Sequence, residues 1–252
     1  MNIPQTLIQS LREARHVVVL TGAGISAESG VPTFRQAQTG LWSQYDPQEL
    51  ATPEAFRRNP RLVWDWYSWR RELVANALPN QGHLALAAIE QITPKFTLIT
   101  QNVDSLHQRA GSRNVLELHG NLSRVKCFQE DIVIDEWRET AEPPPRCPRC
   151  GGLLRPDVVW FGEMLPARIL HLANEATRSA DIFITIGTSG IVYPAAALPP
   201  AAIRSGAVGI EVNTEETPLT QSMAHVLRGP SGEIMPLLFR EAWPESDICQ
   251  PV

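Results

Sequence analysis

A chain of 252 residues is near the upper limit for one hydrophobic core and leaves room for a large domain with a small satellite. An apolar fraction of 43% and a charged fraction of 19% exclude wholesale disorder, and no run approaches ~18 apolar residues, so no membrane-spanning helix is expected. The net charge of −5, without blocks of like charge, speaks against a nucleic-acid-binding surface.

The chain opens with a helical pattern over residues 4–14, where Leu7, Leu11 and Ala14 recur at helical spacing. The run from Val17 to Leu20 is too short for a secretory core and lacks a preceding basic segment, so no leader is expected. His16 to Leu20 is instead a continuous β-branched run suited to a strand buried on both faces. It leads directly into Gly22-Ala-Gly24. A glycine turn between a buried strand and a helix either closes an ordinary βα connection or holds a phosphate on backbone N–H groups. The dehydrogenase fingerprint would add a second strand ending in an acidic residue ~20 residues on. Residues 40–46 read as no buried strand, which disfavours ordinary hydride transfer.

Further strand-like runs are 96–100, 115–118, 181–186 and 207–212, separated by helical stretches 82–91, 104–110 and 167–179. This alternation predicts an α/β fold with a doubly wound parallel sheet. Two stretches interrupt it. Residues 36–80, rich in Pro and Trp, read as a helical insertion, and residues 122–157, around Pro143 to Pro145, read as a loop-rich metal module. The expected large domain is therefore discontinuous (1–35, 81–121 and 158–252), with the two interruptions forming a smaller one. The tail from Ala242 reads as frayed.

Ligands of doubly wound sheets lie beyond the carboxyl ends of strands, so Gly187-Thr-Ser189 and Asn213 should converge with Gly22. Gln101, Asn102 and Asp104 end another strand with groups able to hydrogen-bond a polyhydroxylated ligand. His119 ends the 115–118 run beside Gly120. It is either a satisfied structural histidine or a general base, and its strand-end position supports the second. His83 and His107 fall on helices and read as structural, while His16, His171 and His225 carry no signal. Four cysteines are too few for a disulfide framework; Cys147 and Cys150 are spaced as a metal knuckle of a reducing compartment, and the cytoplasm is the expected location.

Five ordered motifs, Gly22 to Arg35, Thr100 to His107, Glu117 to Gly120, Cys147-x-x-Cys150 and Pro156 to Glu163, resemble those of the sirtuin family of NAD-dependent protein lysine deacylases, over residues 10–240 or so. The resemblance implies a Rossmann-like domain and a zinc-ribbon-like module with NAD and acyl-lysine meeting between them. It places Gly22, Ala23 and Gly24 at the pyrophosphate, Phe34 and Arg35 near the nicotinamide ribose, Gln101, Asn102 and Asp104 at the ribose and carboxamide, and Gly187, Thr188, Ser189 and Asn213 at the adenosine half. Ala27, Val103, Glu215 and Ser231 are further residues that it implies bind the cofactor. Val158, Val159, Trp160, Phe161, Gly162 and Glu163 would pair with the substrate peptide as an added strand. His119 would be the base. It would accept a ribose hydroxyl proton after the amide oxygen has displaced nicotinamide, giving lysine, nicotinamide and O-acyl-ADP-ribose.

Residues 51–56 and 66–71 resemble the sirtuin subgroup that removes succinyl, malonyl and glutaryl groups, in which Tyr67 and Arg70 bind the distal carboxylate and Ala51 leaves room for it. Without that resemblance, the same pair reads as a packed tyrosine and a solvent-facing arginine; Arg71 is the weaker candidate. The metal site departs from the family's two CxxC pairs, since Cys127 is followed by Glu130 where a cysteine belongs. Two readings stay open: structural zinc held by Cys127, Glu130, Cys147 and Cys150 (with Asp131 as a neighbouring option and Cys249 a remote one), or a module held by packing alone. Mono-ADP-ribosyl transfer, a non-catalytic NAD or acyl-lysine binder, and a zinc-ribbon nucleic-acid binder are the competing functions. His119 together with Asn102, Asp104 and Arg35 disfavours a mere binder, and the acidic balance disfavours the nucleic-acid binder.

Overall fold

The computed structural model describes residues 3–32, 45–46 and 50–248. β1 (His16–Thr21) lies at the centre of the sheet with all six residues buried, as a β-branched run lacking a polar face demands. It pairs in parallel with β2 (Lys95–Thr100) on one side and β6 (Ile182–Ile186) on the other. β3 (Val115–Glu117) extends the first side, and β7 (Val208–Asn213) and β8 (His225–Arg228) extend the second, giving the order β3-β2-β1-β6-β7-β8. Strand order therefore reverses between β1 and β6, which opens a crevice at their carboxyl ends. The register makes those ends flush: Thr21 lies opposite Thr100 and Ile186, and Thr100 lies opposite Glu117.

Helices cover both faces. α1 (Gln5–Glu13), α5 (Gln81–Ile92) and α9 (Ser231–Ala242) supply Leu7, Leu86 and Phe239 to one core, while α7 (Ala167–Arg178) and α8 (Leu198–Arg204) supply Ala173 and Ala202 to the other. α2 (Gly24–Ala27) and α6 (Leu106–Arg109) are single turns after β1 and β2.

A second layer stands beside the sheet. β4 (Gly120–Cys127) and β5 (Leu154–Val158) form an antiparallel pair whose register shifts between Asn121 and Val125. Against it pack α3 (Pro53–Arg58), capped by Thr52, and α4 (Pro60–Asn76), capped by Asn59. The α4 helix serves two clusters. Trp66 and Tyr67 join Phe56, Leu122 and Trp160, whereas Trp64 joins Val125, Cys127 and Leu154 and meets Trp137 edge-on at 5.6 Å.

Several expectations need correction. The 122–157 stretch is built on a strand pair that its prolines and broken polar–apolar alternation had hidden, and β4 runs through the boundary anticipated at residue 121. The helix expected over 104–110 is confined to Leu106–Arg109. β8 begins at His225, α8 and α9 were not anticipated, and the tail does not fray from Ala242: Trp243 and Ile248 pack on the main core. Among the described residues, no helix is long and apolar enough to cross a membrane.

Candidate active site

The glycine turn after β1 is built by close approach. Gly24 N–H donates to the Gly187 carbonyl at 2.9 Å, and Gly187 has φ +57°, a conformation natural to glycine. A Cβ on Gly24 would lie 2.7 Å from Gly187 Cα, and one on Gly22 would lie 2.8 Å from Thr188 Cα. Gly22, Ala23, Gly24, Gly187 and Thr188 are thus brought together at the switch point. Asn213 joins them, its amide donating to the Thr188 carbonyl at 3.0 Å, and Gln101 reaches across to Thr188 Oγ1 at 3.0 Å. Ser189 and Glu215 are exposed beside this group; the Glu215 carbonyl accepts from Arg228. Ala27 is exposed at the end of α2. Ser231, at the start of α9, donates to Glu28, which also accepts from Gly232 N–H. Phe34 and Arg35 lie outside the described residues.

Beneath the crevice lies a polar network. Ser26 donates to Asp104 Oδ2 at 2.7 Å and accepts from the Asn102 amide at 3.1 Å, and Leu106 N–H caps Asp104 Oδ1 at 2.9 Å. Burial raises the Asp104 carboxyl above its ordinary value, and these donors hold it back. The His83 and His107 rings meet at a tilt, 4.8 Å between centroids, next to Ser26 and Thr21. Burial pushes His83 down to about 4 and His107 well below its ordinary value, so both are neutral at pH 7. Ser26 is the residue that the sequence reading passed over. Its signal was its place two residues after Gly24, on the turn facing the β2 end.

His119 sits where β3 leaves the sheet. Its Nδ1 donates to the Gln101 carbonyl at 3.0 Å, which leaves Nε2 as an unprotonated acceptor with no partner among the described residues. Burial lowers its pKa, which favours the neutral base. The His119 carbonyl accepts from Val159 N–H, and Phe161 N–H donates to Ala51 O at 2.9 Å, tying the 158–163 segment both to His119 and to the chain just before α3. Within that segment, Phe161 and Gly162 are exposed and Val158 is buried in β5. Trp160 is buried, its indole N–H donating to the Tyr67 hydroxyl at 2.9 Å, and Glu163 is held by Arg155.

Tyr67 is fully buried, and burial pushes its phenol up to about 12. Arg70, half-buried, is hydrogen-bonded to Tyr67 and lies in the field of Asp104, with its guanidinium over the Trp66 and Tyr67 rings at 5.0 and 5.5 Å. Arg71 faces elsewhere, donating to Leu122 O and lying over Trp64 and Trp137. Val103 sits half-buried against the α4 cluster.

The donor atoms of Cys127, Glu130, Cys147 and Cys150 all lie within 4.8 Å of one another, and the Cys127 and Cys150 sulfurs are 3.4 Å apart. Two thiolates on a tetrahedral zinc at ~2.3 Å would be about 3.8 Å apart, so the residues fit the ion. Asp131 is instead paired with Lys126.

A parallel sheet with a glycine-lined switch point, polar strand ends and a thiol-bearing strand pair alongside defines a Rossmann-like protein with a zinc-ribbon-like module. The Sir2 family model matches residues 22–194, and the chain belongs to that family. It is 58% identical over 210 residues to a protein of Aquifex aeolicus (strain VF5) named NAD-dependent protein deacylase, covering 83% of this chain and 87% of that one. A crystal structure of a Sir2 homologue in complex with NAD superposes with a TM-score of 0.90 at 48% identity, covering 96% of this chain and 94% of the other. A Sir2 structure bound to an acetylated peptide gives 0.82 at 32% identity, covering 96% and 98%.

Proposed function

We propose that this protein removes acyl groups from protein lysines with NAD as co-substrate, and that it prefers acyl groups ending in a carboxylate. The carrying observation is His119: a histidine whose tautomer is set by a backbone carbonyl, with its other nitrogen lacking a partner among the described residues, beside the glycine-lined switch point. The curated relative's name and the NAD and acetyl-peptide complexes of solved relatives support the same reading.

NAD supplies an electrophilic ribose carbon once nicotinamide departs. The chain's own groups do the rest. Gly22 to Gly24 and Gly187 let backbone approach a diphosphate, with Thr188 and Asn213 beside them. Asn102 and Asp104, pre-set by Ser26, orient ribose and carboxamide without reorganising when the ligand arrives. His119 Nε2 takes a hydroxyl proton, a task for which burial, by lowering its pKa, keeps the imidazole neutral. Phe161 and its neighbours offer an edge to the peptide. Zinc on Cys127, Glu130, Cys147 and Cys150 would hold the module and take no part in proton transfer.

The acyl preference follows from Tyr67 and Arg70. A phenol that stays protonated and a guanidinium held beside it present donors to a distal carboxylate, and a charge-assisted pair away from bulk water contributes roughly 1.5–3 kcal/mol. Peptide mass followed with succinyl- and acetyl-lysine peptides, with and without NAD, tests both levels. NAD-dependent loss of both groups with succinyl faster is expected; no NAD-dependent loss of either defeats the reading.

A further inference from the structure

We infer that a basic groove on the α3–α4 side of the small layer docks an acidic stretch of the protein substrate, away from the acyl-lysine itself. Among the described residues, a cavity of about 1090 Å³ opens between the α3–α4 turn and the 136–148 segment. Arg58, Arg61, Arg138 and Arg146 line it, against Glu136 and Glu142, a formal excess of two positive charges on a chain whose net charge is −5. Arg61 is engaged by Asp65 at 3.6 Å, and Arg146 donates to the Gly151 carbonyl. Arg58 and Arg138 are exposed and have no hydrogen bond or ion pair among the described residues. The wall between them is stiff: Pro143, Pro144 and Pro145, with Trp137 clamped edge-on against Trp64.

Two guanidiniums without a partner among the described residues, lining one cavity with a proline and indole wall, suit an extended chain carrying carboxylates, since each planar fork donates two parallel bonds to a carboxylate and the wall loses little freedom when covered. Among the described residues that line the groove there is no histidine or cysteine. It is also placed to help. Pro60 at its edge is seven residues before Tyr67 on α4, about 10 Å along the helix. An acidic segment seated there belongs to the same target whose acyl-lysine reaches Tyr67 and Arg70. This last step rests on the deacylase reading; the binding surface does not.

The test uses the full chain and two readouts. A fluorescently labelled peptide of Asp and Glu without lysine is titrated by anisotropy against wild type and the Arg58→Glu/Arg138→Glu variant, with Arg58→Gln/Arg138→Gln as a second. Saturable binding, weakened at least about tenfold by the Glu pair, less by the Gln pair, and sensitive to salt, is expected. No binding, or binding that the variants leave unchanged, overturns the proposal. So does displacement by a short oligonucleotide at lower concentration than the peptide itself requires, which would mark a nucleic-acid groove. In the second readout, KM for an acyl-lysine peptide carrying an acidic tail falls below that of the untailed peptide in wild type but not in the Glu variant, while untailed turnover is unchanged. Peptide binding without any turnover would retain the groove and remove the deacylase reading.

Discussion

His119 Nδ1 lies 3.0 Å from the carbonyl oxygen of Gln101, a residue that itself reaches Thr188 across the switch point. One strand end thus sets the tautomer of the proposed base and lines the crevice. The His119→Tyr variant should lose turnover by about 10²-fold or more while melting within a few degrees of wild type. Burial lowers the His119 pKa, so the base is neutral and competent above its ordinary 6.5 and is lost only as acid protonates it below that value. The kcat/KM profile should accordingly be flat above pH 7 with a single acid limb below pH 6.5. A limb centred above 7 would assign the proton to another group.

Tyr67 and Arg70 predict selectivity rather than activity. Arg70→Met should slow desuccinylation by about tenfold to a hundredfold and deacetylation far less, because only the succinyl chain presents a charge to the lost fork. Equal losses in a kcat/KM comparison would show that Arg70 merely packs on Trp66 and Tyr67.

Stability should carry the signature of His83. Its folded pKa of about 4 lies below the unfolded 6.5, so the unfolded chain binds the extra proton as pH drops through that interval. Its contribution, about 3 kcal/mol, is complete above pH 6.5 and disappears progressively toward pH 4. Thermal melts at pH 7.5, 6 and 5 should show a falling Tm, and His83→Asn should flatten the slope between pH 6.5 and 4.

The main sheet was legible because each inner strand is a run such as Val17 to Leu20 with no polar alternation, which only burial on both faces explains. The strand ends were legible for a related reason: Gln101, Asn102, Asp104 and His119 are polar groups placed where apolar runs stop. β4 and β5 were not legible. Asn121, Ser123, Arg124 and Lys126 break the alternation because Asn121 is consumed inside a network with Ser105 and Glu117, and Arg124 bridges Glu117 and Asp157. Local pattern cannot reveal partners that arrive from other elements. The same holds for His83 and His107, whose roles depend on Ser26 and Thr21 more than fifty residues away. Arg71 adjoins Arg70 in sequence, but the helix turns it to another face, where its guanidinium is taken by Leu122 O and the Trp64 and Trp137 rings.

Gly24 tests the crevice without touching the base. Its missing side chain lets Gly187 Cα approach within 2.7 Å of where a Cβ would stand, a contact with backbone that cannot swing aside. Gly24→Ala should separate the β1 and β6 turns, lowering stability by roughly 1–3 kcal/mol and abolishing measurable heat on NAD titration. NAD affinity unchanged in a fully folded variant would move the diphosphate away from this turn.

Glu130 decides how firmly the module is held. Three thiolates and one carboxylate form a weaker zinc set than four thiolates, and Glu130 is also paired with Arg149 at 3.6 Å, which competes for its oxygen. Chelator titration followed by metal analysis should therefore strip the wild type at lower chelator than Glu130→Cys, and Glu130→Ala should lose the ion first. Because Cys127 and Cys147 lie in one cluster with Trp64, Val125 and Leu154, stripping should also lower the melting temperature and perturb near-ultraviolet signals from Trp64 and Trp137. A stripped protein that melts unchanged would mean that packing alone holds β4 against β5.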